Sequence, residues 1–167
     1  MNCRGFTLIE AMIVITIMAL LVAMGAPAMT QYVANARIRS AADQVHSALT
    51  RARTEAIKRN GTIVFQTTNT GWTIATDDPG ITAEAVETED GFARGSVAMT
   101  YSVPTIEFTG FGRTLKGASL VVDVKNAQFA CSSDCASGVR CLRITVASGG
   151  QVRLCDPASP TGSVTGC

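Results

Sequence analysis

The stretch "RGFTLIEAMIVITIMALLVAM", Arg4 to Met24, is apolar almost throughout, yet it carries one carboxylate, Glu10, near its start. By insertion scales an acidic side chain at the centre of a membrane helix costs roughly 2.5–3.5 kcal/mol, and less near the interface. A chain that keeps such a residue needs something that offsets the cost. The apolar run, Phe6 to about Met29, covers some 36 Å at ~1.5 Å per helical residue, enough to cross a bilayer core of roughly 30 Å. No second run approaches that length, so a single crossing is expected. Arg4 is the one charge ahead of the run, and the positive-inside rule puts that end in the cytoplasm. The run is full length, unlike the short apolar core of a secretory signal.

The totals agree with one anchored domain. The chain has 167 residues, a net charge of +1 and only 16% charged residues. No overall field draws it toward nucleic acid or acidic substrates. Five of its six cysteines lie at or beyond Cys131. That places them on the far side of the membrane, where disulfides persist.

Beyond Met29 the helical signal continues. Apolar residues fall at Ala34, Ile38, Ala41, Val45, Leu49, Ala52 and Ala56, the one-sided stripe of an amphipathic helix. Pro27 interrupts the helix and should kink or locally unwind it. Asn60-Gly61 should end it, with glycine taking the left-handed conformation. From there the period becomes two. "TIVFQTT" and "WTIAT" flank "NTG" as a hairpin, and "VAMTYS", "TIEFT", "ASLVVDV", "VRCLRITVA" and "QVRLC" follow as further strands. The acidic stretch "DDPGITAEAVETEDG" reads as a solvated loop. The fold class is therefore α+β: a long N-terminal helix, transmembrane then amphipathic, packed on a small antiparallel β-sandwich head.

"GFTLIE", Gly5 to Glu10, followed by a long apolar helix, resembles the leader of type IV pilins and type II secretion pseudopilins. "ALTRARTEAIKRNGTIVF", Ala48 to Phe65, with the all-β region and the ending "VRLCDP", resembles the GspH/FimT/FimU branch, FimU-like minor pilins above all. The resemblance implies cleavage by a prepilin peptidase after Gly5 and N-methylation of the new terminus, Phe6. It implies that Glu10 pairs with the amino terminus of a neighbouring subunit. An ammonium facing that carboxylate removes net charge in lipid and satisfies its acceptors. The organisation is then a leader over 1–5, an assembly helix over 6–29, its amphipathic continuation over 30–60 and a β-rich head over 61–167. The implied partners are other minor and major pilins or pseudopilins, the peptidase and an inner-membrane assembly platform. The implied function is a structural minor pilin that helps initiate or cap a type IV pilus. The alternatives are a GspH-like pseudopilin of type II secretion and a FimT-like DNA receptor.

Loss of Cys3 with the leader leaves Cys131, Cys135, Cys141, Cys155 and Cys167, an odd number, so one thiol stays unpaired or bonds another chain. A three-residue hairpin loop at Ala147–Gly149 sets Cys141 opposite Cys155 and permits a cross-strand disulfide. The competing arrangement ties Cys155 or Cys167 back to the Cys131–Cys135 loop. The spacing is irregular for zinc, and no metal is expected. The DNA-receptor pattern implied by the resemblance is G-R-x-R. Gly150 and Arg153 fit it, Gln151 replaces its first arginine, and Arg140 and Arg143 add charge nearby. His46, the one histidine, sits in the helical stretch as a solvated or sheet-facing residue. Asp77, Asp78, Glu87, Glu89 and Asp90 read as loop charges without EF-hand spacing. No catalytic motif occurs, so neither an enzyme nor a cofactor is expected.

Overall fold

A computed structural model describes residues 6–68, 71–77, 85–89, 97–127, 139–159, 163 and 165–167, apart from the side chains of 26–28. One helix, α1, runs Leu8–Arg59, and two compact units divide the chain between Val33 and Ala34. The amphipathic stretch of α1 thus belongs with the β-rich region.

Within the second unit α1 behaves as its period dictates. Ala34, Ile38, Ala41, Val45, Leu49, Ala52 and Ala56 are all buried, and Ala42 and Ala48 widen the stripe. Most of these are alanines, so the sheets can approach the helix closely. Ile38, Val45 and Leu49, each at most 1% exposed, supply the bulk. Burying each contributes about 1.5–3 kcal/mol. The helix ends in a Schellman motif: the N–H of Gly61 donates to the Ala56 carbonyl and that of Asn60 to Ile57, both at 3.2 Å. The left-handed residue is Asn60, at φ 49°, and not the glycine. This corrects the expectation. Asparagine is the commonest substitute there, and Gly61 occupies the next position, which donates the longer-range bond.

Among the described residues eight strands form two antiparallel sheets. The first has the order β3(Ala85–Glu89)–β2(Trp72–Thr76)–β1(Ile63–Thr67)–β5(Thr105–Phe108). The second has the order β4(Val97–Tyr101)–β6(Leu120–Asn126)–β7(Leu142–Val146)–β8(Val152–Cys155). Alternation sorts the faces: Leu120, Val122 and Val124 point inward from β6, while Val121, Asp123 and Lys125 do not. Phe65, Ile74, Ile106 and Phe108 of the first sheet, Ile144 and Val146 of the second, and the α1 stripe form one core. Phe65 and Trp72 stack at 6.4 Å between ring centres.

β3 falls inside the acidic stretch read as a loop, a second correction. Its Ala85–Glu89 backbone pairs with β2 as an edge strand, with a register shift at Ile74/Ala75. Carboxylates are a common guard on such edges, and they mask the strand in the sequence. Glu87 is held by Arg51 of α1.

The β7–β8 hairpin gives a third. Its loop has three residues, but they are Ser148–Gly150: Ala147 N–H donates to Gln151 (3.0 Å) and Gly150 N–H to Ala147 (2.7 Å). This is a type I turn closed by a left-handed residue, a position that Gly150 fills at φ 76°. Moving the loop by one residue moves the register by two. Val146 therefore faces Val152, and Cys155 faces Arg143.

Candidate assembly site

Every residue from Phe6 to Gly25 is exposed, including Phe6 (79%), Leu8 (80%) and Met24 (80%). Leu8–Gly25 has a mean hydropathy of 2.5 and is long and apolar enough to cross a membrane. In water such a surface carries a large hydrophobic penalty, so lipid or other apolar helices must cover it.

Glu10 lies in the first turn of this helix. Thr7 precedes the first helical residue, and its Oγ1 accepts the Glu10 N–H at 3.3 Å. The Ala11 N–H bonds the Thr7 carbonyl at 3.2 Å. Thr7 is thus the N-cap of "TLIE", half of a T-x-x-E capping box, a signal present in the sequence that the membrane argument alone passes over. A carboxylate at this position also meets the positive end of the helix dipole. Glu10 therefore has a local reason to stand where it does. The helix is continuous through Pro27, whose side chain lies outside the described residues. Gly5, the predicted cleavage position, also lies outside them.

The cysteines pair in a way the hairpin argument did not give. Cys155 bonds Cys167, with Cα atoms 5.2 Å apart. Cys141 is in a disulfide of its own, so the Cys141–Cys155 pair is ruled out by the register above. Tying Cys155 or Cys167 back to the Cys131–Cys135 loop is ruled out as well, because these two bond each other. Cys131 and Cys135 lie outside the described residues. The bond joins β8 to a tail already held by backbone pairing, in which the Asp156 N–H donates to the Thr165 carbonyl at 2.7 Å. Asp156 Oδ1 accepts the Ala158 N–H, a local turn. Among the described residues no group of three His, Cys, Asp or Glu converges on a metal position.

The three arginines do not form one cationic surface. Arg143 and Arg153 share the outer face of their sheet, opposite Cys155 and Thr145. Arg143 forms a two-bond pair with Asp123, its cross-strand partner, at 2.6 and 3.0 Å. The carboxylate's hydrogen bond holds the guanidinium above its ordinary pKa. Arg153 is exposed and makes no ion pair among the described residues. Arg140 is exposed on the segment before β7, where its backbone N–H donates to Asn35 Oδ1 of α1 at 2.9 Å. Gly150 has a structural duty in the hairpin and no contact that points to a ligand. His46 is half-buried on α1, beside the stripe.

Against this geometry the family becomes clear. The family described as "Type II transport protein GspH" matches residues 41–150, and the prokaryotic N-terminal methylation motif matches residues 1–26. No curated protein matches the chain in sequence. Solved structures share its fold. The type IV minor pilin FimU of Pseudomonas aeruginosa is 20% identical with a TM-score of 0.59, covering 74% of this chain and 90% of its own. The minor pseudopilin EpsH of the Vibrio cholerae type 2 secretion system is 10% identical with a TM-score of 0.57, covering 74% and 99%. GspH of E. coli is 12% identical with a TM-score of 0.53, covering 78% and 94%. The chain belongs to the GspH family of pilin-like proteins and carries the N-terminal methylation motif at its apolar end.

Proposed function

We propose that this chain is a structural minor pilin, built into a type IV pilus and helping to initiate or cap it. One observation carries the reading: an exposed apolar helix, Leu8–Gly25, with a carboxylate in its first turn directly after Gly5-Phe6. A prepilin peptidase cuts after Gly5, and the freed Phe6 amino group is methylated. Before assembly the helix anchors the chain in the inner membrane, with the head in the periplasm. In the fibre its apolar face moves from lipid onto neighbouring helices with little hydrophobic gain. Packing fit and the Glu10 contact to a neighbour's terminus then set the register.

Glu10→Gln separates this role from helix capping, because glutamine serves in a capping box but carries no charge. Both Glu10→Gln and Glu10→Ala should insert and fold yet be depleted in sheared fibres. Normal incorporation of the glutamine variant would reduce Glu10 to a cap. Gly5→Ala should leave the leader in place, seen as an N-terminus other than Phe6 by mass spectrometry.

The description of the matched family favours a second reading, a minor pseudopilin of type II secretion. Deleting the gene separates the two: loss of surface pili supports the first, and retention of secreted proteins inside the cell supports the second. A DNA-receptor role has less to draw on, since Asp123 neutralises Arg143, leaving Arg140 and Arg153.

A further inference from the structure

Of Phe, Tyr and Trp, α1 holds a single residue, Tyr32, and it is 72% exposed. It belongs to the first compact unit, and the core of the second begins at Ala34, so the ring has no part in that core. Among the described residues its hydroxyl has no hydrogen-bond partner. The exposed surface of the helix changes character at this level. Met29 is exposed and closes the apolar run, Thr30 and Gln31 are exposed and polar, and Arg37 and Arg39 bring the first charges after Glu10. An amphipathic ring on the rim of a membrane-spanning helix is the composition of an interfacial belt, with its body toward hydrocarbon and its hydroxyl toward water.

The length of the helix turns that placement into a depth. Tyr32 and Glu10 stand eleven positions to either side of Leu21. Eleven residues are about three turns, so all three lie near one face, and each interval spans about 16 Å. A hydrocarbon core of roughly 30 Å ends about 15 Å from its centre, and the headgroup layer ends at about 22 Å. With Tyr32 among the headgroups on one side, Glu10 falls in the headgroup layer on the other. Centring the apolar run Phe6–Met29 instead puts Glu10 only about 11 Å from the middle, inside the hydrocarbon.

We propose that Tyr32 is an interfacial anchor: it docks among the phospholipid headgroups of the outer leaflet and fixes the depth of the helix, with Leu21 at the bilayer centre. This rests on the membrane-anchored reading above. Glu10 then waits where a carboxylate costs little. Phe6, about 22 Å from the centre, brings its bond to Gly5 to the water's edge, open to a peptidase.

The test uses the full chain in vesicles of phosphatidylethanolamine and phosphatidylglycerol. A tryptophan replaces either Val14 or Leu21, both exposed and seven residues apart on nearly one face, and lipid spin labels at known depths quench it. The chain without a reporter supplies the signal of Trp72 for subtraction. Leu21→Trp should lie at the centre and Val14→Trp about 10 Å shallower. Adding Tyr32→Ala, which touches no core residue, should bring the two depths together. Equal depths with Tyr32 present overturn the proposal, because they centre the helix on Phe6–Met29. Depths that ignore Tyr32→Ala overturn it too, because something else then sets them. A benzophenone amino acid at position 32 should capture phospholipid, and capture of a second copy of the chain alone would count against the anchor. The two readings fail separately: equal depths sink only this one, whereas a chain whose reporters no lipid label quenches is not in the membrane at all.

Discussion

Two adjacent glycines in one hairpin should respond very differently to the same methyl group. At Gly149 a Cβ meets nothing within 4 Å. At Gly150 the backbone is left-handed at φ 76°, and a Cβ would sit 2.0 Å from the Gly112 carbonyl oxygen. An L-residue in that conformation costs about 1–2 kcal/mol. The overlap is with backbone, so relief requires the Thr109–Arg113 turn to move. That carbonyl accepts the Arg53 Nε–H at 2.9 Å, a bond from a charged donor worth about 1.5–3 kcal/mol. Gly150→Ala should therefore destabilise by about 3–5 kcal/mol, a large share of a stability of about 5–15 kcal/mol. Gly149→Ala should stay within about 0.5 kcal/mol. Urea unfolding of a fragment beginning at Thr30 measures both, because every core residue lies at or beyond Ala34. Equal midpoints for the two variants would refute the argument and reopen the alternative register, with Cys141 facing Cys155. A tryptic digest without reductant checks that register independently. Cleavage after Arg140, Arg143 and Arg153 should yield Leu154–Cys167 as a single peptide holding its own disulfide, not joined to Cys141–Arg143.

Other changes probe other parts of the head. Cys167→Ser opens a loop with a sequence separation of 12, and chain entropy puts its stabilisation at about 3 kcal/mol; the unfolding midpoint should fall accordingly, and the tail should become protease-sensitive. Leu49→Ala, at a fully buried position of α1, should cost about 2–5 kcal/mol in the same urea assay. Burial raises the Tyr101 phenol above its ordinary value of 10.0, so the folded chain keeps a proton the unfolded chain has released. That contribution is fully present below about pH 10 and is lost as pH climbs through the folded value; Tyr101→Phe should flatten this alkaline limb in pH-dependent melts. Glu55 runs the opposite way. Hydrogen bonds from Lys58 and Arg59 lower its pKa from 4.5, so its contribution holds above that range and disappears as pH falls through the lowered value. Glu55→Gln should make acid-range melts less pH-dependent.

Periodic features were legible in the sequence because burial acts on every turn and every second residue alike. The seven stripe residues of α1 and the strands β1, β2 and β4 to β8 follow from spacing alone, without knowledge of their partners. Features that depend on a single residue's conformation, or on a partner far along the chain, were not. The hairpin depends on which of Gly149 and Gly150 turns left-handed, and local sequence treats them alike; the tie is broken by Gly112, 38 positions earlier. β3 escaped because an edge strand guarded by Glu87 and Glu89 has the composition of a loop. Arg143 looked like a free cation until the β6–β7 register set Asp123 across from it. The reading of Glu10 follows the same division. Its awkwardness in lipid is a sum over a long apolar run, readable at once, whereas its cap with Thr7 is a contact of one turn. The two accounts are compatible. The helix dipole lowers the cost of carrying the charge in an isolated subunit, and this leaves less for a neighbour's amine to relieve. If Glu10 directs assembly, it must therefore do so mainly by penalising wrong registers, where the carboxylate meets only apolar side chains. Incorporation should then fall more steeply for a helix shifted by inserted residues than for one whose carboxylate is simply removed.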